Sequence, residues 1–270
     1  MPEFLTADQL QEWEANGYLV IPDFASAEAC DSLMERAKRI VSEAELDRGI
    51  FTTGDQKRHA DSWFLESADK VRVFMELEKS EGHNVNKIGH ALHDLDPVFG
   101  DFCRNERLAA IAIDVGFRNP LLLQSMYIFK QPKTGGEVSI HQDSSFLYTE
   151  PMSCVGFWFA LEDATLENGC LWAKQGGHKL PLTSRFVRNG KGGCEFEEYD
   201  IAHPELDEFV ALPVPAGSLV LLHGNLPHYS AKNLSDKSRE AFALHIIEGE
   251  FKYDERNWLQ RSEKLPLRGF

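Results

Sequence analysis

The chain has 270 residues, a length that allows one large domain or two small ones and a sizeable buried core. Its formal net charge of −15 disfavours a nucleic-acid-binding surface, because a protein that follows phosphates needs a basic stripe and the sequence shows none. The five cysteines follow no CxxC pattern, which indicates reduced thiols rather than disulfides or a thiolate zinc site.

The start of the chain shows no basic segment followed by an apolar run, and nowhere do 18 apolar residues follow one another. We therefore expect neither secretion nor a membrane span, and a cytoplasmic location. The last three residues, Arg-Gly-Phe, differ from the peroxisomal address Ser-Lys-Leu. The oligomeric state stays open.

The N-terminal part, residues 1–120, is predicted to be mainly helical. Thr6 and Gln9 form a capping-box pattern that begins a first helix, and Gly17 ends it. The apolar residues 18–21 that follow predict a short strand.

Two longer helices are predicted in the same part of the chain. Ser26 is a suitable cap for a helix that runs to about residue 44 with its apolar positions on one face. Asp96, which precedes a proline, indicates a third helix that runs to residue 115. Between them, the polar residues 46–70 are expected to form a lid or a substrate-facing loop.

From residue 121 onward the pattern changes to strands separated by turn residues. Seven strand-like segments without intervening helices indicate a jelly roll. They cover residues 121–130, 138–142, 155–161, 169–173, 209–214, 218–223 and 241–247. The insert at residues 185–204, rich in glycine and glutamate, is interpreted as a loop over the barrel mouth.

These elements predict one domain over residues 1–270. Its fold class is mainly β with flanking helices, a cupin-like double-stranded β-helix with a helical N-terminal part. Residues 1–120 would support a jelly-roll core at residues 121–250, and residues 251–270 would form a C-terminal tail.

A pair of possible metal ligands lies at the end of the second of these strand segments. His141 and Asp143 are two residues apart, a spacing that puts both side chains on one face of a strand. With a second histidine they would complete the 2-His-1-carboxylate face that leaves coordination positions open on Fe(II). The alternative is a hydrogen-bonded pair at a strand end. His59 and Asp61 repeat the spacing in a polar run and are interpreted as loop residues.

The third ligand has two candidates, His223 at the end of an apolar strand and His228 after a proline turn. Eleven residues after His228 comes Arg239, whose planar fork would suit a bidentate contact with the carboxylate of a dianionic co-substrate. Solvation at the surface is the alternative for this arginine.

Several long motifs resemble the phytanoyl-CoA dioxygenase family of Fe(II)- and 2-oxoglutarate-dependent oxygenases. The resemblance covers nearly the whole chain and is densest in four segments. These are Gln-Ser-Met-Tyr-Ile-Phe-Lys-Gln-Pro at 124–132, the block at 135–148, Glu-Asp-Ala-Thr-Leu-Glu-Asn-Gly-Cys-Leu-Trp at 162–172, and Asn-Leu-Ser-Asp-Lys-Ser-Arg at 233–239. One departure is Gln-Gly-Gly-His at 175–178, where the family tends to carry Pro-Gly-Ser-His.

The resemblance implies a set of site residues. His141, Asp143 and His228 would bind Fe(II), and Arg239 with Ser230 would hold the far carboxylate of 2-oxoglutarate. Three further residues would line the same pocket, namely Lys87, Met126 and Trp158. The implied co-substrates are 2-oxoglutarate and O2, with ascorbate as a supporting reductant.

The implied function is a dioxygenase that converts 2-oxoglutarate and O2 to succinate and CO2 while hydroxylating a small molecule that the sequence does not identify. Asp143 favours hydroxylation, since halogenating family members lack this carboxylate. The alternatives are a non-catalytic metal- and 2-oxoglutarate-binding sensor, a zinc cupin hydrolase or isomerase, and an acyl-CoA 2-hydroxylase. The last would need a basic mouth, for which the candidates are Lys57, Arg58, Lys130, Lys133, Arg185, Arg188 and Lys191.

Overall fold

The computed structural model describes residues 4–44, 50–51, 62–76 and 85–270. The helices are α1 (Ala7–Asn16), α2 (Ala27–Glu43), α3 (Ser62–Leu65), α4 (Leu92–Leu95), α5 (Pro97–Cys103) and α6 (Glu106–Asp114). The first eight strands are β1 (Tyr18–Ile21), β2 (Ile50–Phe51), β3 (Val71–Glu76), β4 (Val85–His90), β5 (Pro120–Lys130), β6 (Val138–His141), β7 (Thr149–Glu150) and β8 (Val155–Ala160). The others are β9 (Leu171–Ala173), β10 (Ser184–Arg188), β11 (Cys194–Glu198), β12 (Val210–Leu212), β13 (Leu219–His223), β14 (His228–Ser230), β15 (Arg239–Glu248) and β16 (Lys252–Tyr253).

Two sheets form the body of the molecule. The larger has the order β1-β13-β8-β15-β5-β4-β3-β2, and the smaller has the order β12-β9-β14-β6. All pairs in both sheets are antiparallel except the short pair of β2 with β3. A buried apolar cluster contains side chains of both sheets, so they face each other as the two layers of a jelly roll. The predicted mainly-β fold with flanking helices is therefore confirmed.

The alternation along β15 separates the core from the interior of the barrel. Phe242 and Leu244 belong to the cluster that packs against the helices, together with Leu33 of α2 and Phe99 of α5. Residues of the opposite parity point between the two sheets, since side chains alternate across a strand. Ala243 is one of these, and its small side chain leaves space there.

The helices begin at residues whose side chains cap them, and one predicted helix is corrected. The Thr6 capping box is present as predicted, and Ser26 accepts a hydrogen bond from the backbone N–H of Ala29. The third predicted helix is two helices, because Asn105 accepts a hydrogen bond from the N–H of Leu108 and starts α6 as a new N-cap. Within the N-terminal part, β1, β3 and β4 extend the larger sheet.

The two predicted loops have different outcomes. Much of residues 46–70, including His59 and Asp61, lies outside the described residues. Of the described part, Trp63 is an anchor, because its indole N–H donates to the Val73 carbonyl and Arg72 lies over its ring. The insert at 185–204 is not only a loop: β10 and β11 pair as a hairpin there. In the described part of the chain, none of the helices has the length and apolar character needed to cross a membrane.

Gly17 marks a position where only glycine fits. Its φ of +76° is left-handed, and a Cβ would overlap the imidazole of His178. We expect Gly17→Ala to lower the free energy of unfolding by roughly 1–2 kcal/mol through backbone strain and by a further 1–3 kcal/mol through overpacking. Gly190→Ala is the matched control, because Gly190 also has a positive φ but has open space around it. Urea unfolding of both variants measures the difference, and equal losses would contradict the overlap.

Candidate active site

Two histidines and one carboxylate meet between the sheets. His141 ends β6 and lies opposite His228, the first residue of β14, while Asp143 follows in a short 3-10 turn. Asp143 Oδ1 lies 3.6 Å from His141 Nε2 and 3.8 Å from His228 Nε2. One ligand atom from each residue lies within 4.8 Å of the other two, a spacing that fits a single metal ion. His223 is elsewhere, packed on Trp13, with Nδ1 accepting the N–H of Asn225.

The outer nitrogens of both histidines are fixed by backbone carbonyls. His141 Nδ1 lies 2.8 Å from the Ser139 carbonyl, and His228 Nδ1 lies 2.9 Å from the Leu226 carbonyl. A carbonyl can only accept, so each Nδ1–H donates and each Nε2 is left on the side of the carboxylate. This is the orientation of Nε2 that a metal ligand needs.

The charge state of the cluster also suits a cation. Burial, together with nearby His141, lowers the pKa of His228 to about 4, so its ring is neutral at physiological pH. Burial opposes ionisation of Asp143, but His245 and His228 hold the pKa of this carboxyl well below its usual range. A buried carboxylate beside the neutral imidazole of His228 calls for a positive charge.

Sequence reasoning missed His245. This residue lies on β15 and is 5% exposed, and its Nε2 is 3.3 Å from Asp143 Oδ2. The contact reaches the carboxylate oxygen that faces away from His141 and His228, so it orients Asp143. One indication was present in the sequence, the even spacing from Arg239. His245 is six residues after Arg239, and an even spacing puts both side chains on the same face of a strand.

Gly156 provides the space beside this carboxylate. It pairs with His245 across the sheet, and a Cβ would lie 3.2 Å from Asp143 Oδ2 and 3.4 Å from the His245 ring. We expect Gly156→Ala to displace Asp143 and to weaken Fe(II) binding roughly 10-fold, the lower range for changes around a metal ligand. Anaerobic Fe(II) titration tests this, with the remote Gly190→Ala as control. Unchanged affinity would show that Asp143 adjusts freely.

Arg239 lies in the same cavity as the three metal-type ligands. It is 1% exposed, and its Nε and Nη1 atoms have no hydrogen-bond partner among the described residues. Burial lowers its pKa to about 10, so the guanidinium remains charged near neutral pH. A buried cation with unsatisfied N–H groups is costly unless an anion binds to it. The site therefore fits a carboxylate ligand.

The residues around Arg239 close this end of the cavity. Trp158 places its ring 5.4 Å from the guanidinium carbon, and Ser230 of β14 is buried beside the same space. Lys130 pairs with Arg239 across the sheet and donates to the carbonyls of Gly136 and Ala231. Burial and the neighbouring Arg239 lower the Lys130 pKa to about 6. As a buried residue, Lys130 is not part of a basic mouth, which corrects that expectation.

All eight nominated residues line one cavity of about 170 Å³. Lys87 and Met126 come from β4 and β5, and the Lys87 ammonium lies 5.5 Å from the ring centres of both Phe64 and Phe74. Phe64 also lines the cavity.

A jelly roll with two histidines, a carboxylate and a buried arginine in one cavity is typical of Fe(II)- and 2-oxoglutarate-dependent oxygenases. The family model of phytanoyl-CoA dioxygenase (PhyH) matches residues 13–241, and the chain belongs to this family. It is thereby a 2-oxoglutarate-dependent dioxygenase that uses Fe(II), and the resemblance seen in the motifs is confirmed.

The relatives cover almost the whole chain. Phytanoyl-CoA dioxygenase from Arabidopsis thaliana is 44% identical over 273 residues, which is 97% of this chain and 95% of the relative. Phytanoyl-CoA dioxygenase domain-containing protein 1 from Bos taurus is 41% identical over 283 residues, or 97% of each chain.

Solved structures show the same fold. EctD from S. alaskensis with 2-oxoglutarate and 5-hydroxyectoine has a TM-score of 0.68 at 19% identity, and the match covers 96% of this chain and 84% of that chain. SnoK, a non-heme alpha ketoglutarate dependent carbocyclase from nogalamycin biosynthesis, has a TM-score of 0.67 at 20% identity, with 99% of each chain covered.

Proposed function

We propose that this dioxygenase hydroxylates a small molecule while converting 2-oxoglutarate and O2 to succinate and CO2. The observation that carries the proposal is the location of Arg239 and the three metal-type ligands in one cavity. The arginine supplies the charge that a keto-diacid needs, and the ligand set leaves positions for that molecule and for dioxygen.

Each residue has a defined role in this proposal. Nε2 of His141, Nε2 of His228 and a carboxylate oxygen of Asp143 bind Fe(II), and the bound iron with 2-oxoglutarate supplies the oxidising chemistry. Arg239 and Ser230 bind the far carboxylate of 2-oxoglutarate. Lys87, Met126 and Trp158 line the space between, as the family motifs imply.

The protein's own contribution is orientation and exclusion of water. His245 and the backbone carbonyls that hold the two ligand histidines keep the donor atoms in place without a metal-dependent rearrangement. Buried aromatic side chains, including Trp158, surround the cavity and limit water, which protects a strong oxidant from unproductive reactions. Asp143 fills a coordination position with a carboxylate, which favours transfer of hydroxyl over halide.

The acyl-CoA alternative receives little support from the basic residues. Arg185 is buried over the Tyr148 ring and pairs with Asp254, and Arg188 donates to the Trp258 carbonyl. Lys133 pairs with an exposed aspartate, and Lys57 and Arg58 lie outside the described residues. The candidate basic residues whose side-chain partners are described therefore already contact other groups of the protein. This favours a substrate smaller than a CoA thioester.

A turnover assay tests the proposal. Protein supplied with Fe(II), ascorbate and labelled 2-oxoglutarate is expected to release labelled succinate in air and none under nitrogen. Binding of 2-oxoglutarate without succinate would support the sensor alternative, and turnover of a metabolite without O2 consumption would support a zinc hydrolase or isomerase. Addition of an acyl-CoA panel and a metabolite extract in parallel identifies which of them accelerates CO2 release.

A further inference from the structure

Lys130 is a buried cavity residue outside the proposed metal ligands and the proposed 2-oxoglutarate contacts. It is 2% exposed and lines the same cavity as Arg239. Lys130 ends β5, and Arg239, which begins β15, lies directly opposite it in the antiparallel pair. Directly opposed residues of neighbouring strands share a face of the sheet. A side chain in this position can therefore influence how the far carboxylate of 2-oxoglutarate is held.

The amino group of Lys130 binds backbone carbonyls. Its Nζ lies 2.8 Å from the Gly136 carbonyl oxygen and also donates to the Ala231 carbonyl. A longer contact of 3.4 Å joins it to the Ser230 carbonyl. Its N–H groups are thus already used within the protein, so Lys130 acts on the backbone around the site rather than on a bound carboxylate.

The charge state of Lys130 is compatible with its location beside a guanidinium. Like charges on directly opposed residues destabilise a sheet. Burial and the neighbouring Arg239 lower the pKa of Lys130 to about 6, so the group is largely a neutral amine near neutral pH. A neutral amine has N–H groups for the two shorter carbonyl contacts. Its contribution to the site is therefore hydrogen bonding rather than charge.

The carbonyls that Lys130 binds lie where two strands of the smaller sheet are irregularly paired. β14 has three residues, and its pairing with β6 shifts register between His228 and Ser230. Ladder hydrogen bonds are disrupted at such a shift. Gly136 precedes β6 and Ala231 follows β14, so Lys130 connects the two strands at this irregularity. It thereby holds the end of β14 that carries Ser230.

The loop that joins β14 to β15, residues 231–238, is attached to the same lysine. Asn233 is fully buried, and its Nδ2 lies 2.9 Å from the Lys130 carbonyl oxygen and 2.7 Å from that of Lys237. Both contacts are donated by the carboxamide, because a carbonyl can only accept. The loop starts after one proposed contact of the far carboxylate and ends before the other. The positions of both contacts are therefore set relative to Lys130.

Two glycines provide the space for the stem of Lys130. A Cβ at Gly135 would overlap Lys130 Cγ, and a Cβ at Gly169 would lie 2.8 Å from Lys130 Cδ. The stem is therefore closely enclosed, and close packing leaves a side chain few alternative conformations. Nζ is consequently a donor with a fixed position.

We infer that Lys130 is a positioning residue for the far carboxylate of 2-oxoglutarate. By joining β6 to β14 through backbone carbonyls, it holds Ser230 and Arg239 in the arrangement that receives this carboxylate. The inference rests on the proposed function, because it names what orients the 2-oxoglutarate contacts of that same site. The described hydrogen bonds of the amino group do not involve the metal-type ligands, so its loss should affect the co-substrate and not Fe(II).

Two oxo acids separate this role from a general effect on folding. 2-Oxopentanoate has the keto acid end of 2-oxoglutarate but carries a methyl group in place of the far carboxylate. Fe(II)-loaded protein under nitrogen is titrated calorimetrically with each, and the ratio of the dissociation constants measures recognition of the far carboxylate. Lys130→Met keeps a long stem and removes the donor. It is expected to lower the preference for 2-oxoglutarate roughly 10-fold or more through misplacement of its contacts, with unchanged affinity for Fe(II) and 2-oxopentanoate.

Lys130→Gln keeps an uncharged N–H donor, so it is expected to recover part of the preference, and it carries the test if Lys130→Met does not fold. Lys133→Met is the matched control, because Lys133 lies in the turn after β5 and pairs with the exposed Asp236. An unchanged preference in Lys130→Met, an equal loss of affinity for both oxo acids, or no recovery in Lys130→Gln would overturn the inference. A wild-type protein without any preference for 2-oxoglutarate would instead contradict the proposed function.

Discussion

His228→Ala is expected to abolish succinate formation and to weaken Fe(II) binding more than about 100-fold, since loss of a partner outside the ligand set alone costs 10–100-fold. His228 Nε2 lies 3.8 Å from Asp143 Oδ1 and its Nδ1 is held by the Leu226 carbonyl, so alanine removes a donor atom that is already aimed at the metal position. Anaerobic Fe(II) titration and the labelled-succinate assay measure the two effects.

His223→Ala is the matched control for this experiment. His223 is the other histidine of the same segment, and its ring packs on Trp13 and His178. We expect its replacement to lower stability by roughly 1 kcal/mol through lost packing, while iron affinity and succinate yield stay near wild type. If the His223 variant lost iron and the His228 variant kept it, the third ligand would be wrongly assigned. Thermal unfolding of both variants separates metal loss from misfolding.

The choice between these two histidines shows what the residues alone could not decide. His223 ends the apolar strand β13 and His228 follows it, and the local pattern does not decide which of them is the ligand. His228 is brought to the metal position by β14, a strand of three residues that the sequence did not predict because it directly follows Pro227. Its strand character depends on pairing with β6 and β9, which are distant in the chain. The family motif, and not periodicity, favoured His228.

Other features were predicted where the cause is local. The caps at Thr6 and Ser26 depend on side chains within three residues of the backbone groups they satisfy, and the long strands are strand-like segments bounded by turn residues. The contact of His245 with Asp143 was not predictable in this way. The spacing along β15 indicates only the face on which His245 lies, and folding brings Asp143 to it.

Arg239→Ala is expected to raise the KM for 2-oxoglutarate roughly 30- to 5000-fold, the equivalent of roughly 2–5 kcal/mol for truncating one partner of a buried charge pair. The guanidinium is 1% exposed, and two of its nitrogens lack a partner in the described structure, so the co-substrate carboxylate has no substitute for it. Arg239→Lys should recover part of the loss, because it restores the charge but not the planar fork.

Iron binding should survive in the Arg239 variants, because the side chain makes no described contact with the three metal-type ligands. Its position depends instead on Glu162, which accepts hydrogen bonds from the Ser238 hydroxyl and the Glu240 backbone N–H on either side of it. Lys237→Ala is the matched control, since Lys237 is a cation two residues earlier with an exposed side chain. Steady-state kinetics in limiting 2-oxoglutarate distinguish the variants. An unchanged KM in Arg239→Ala would show that the guanidinium does not bind the co-substrate. A raised KM with unchanged Fe(II) affinity is the result that the 2-oxoglutarate assignment requires, because it shows that Arg239 acts on 2-oxoglutarate and not on the metal.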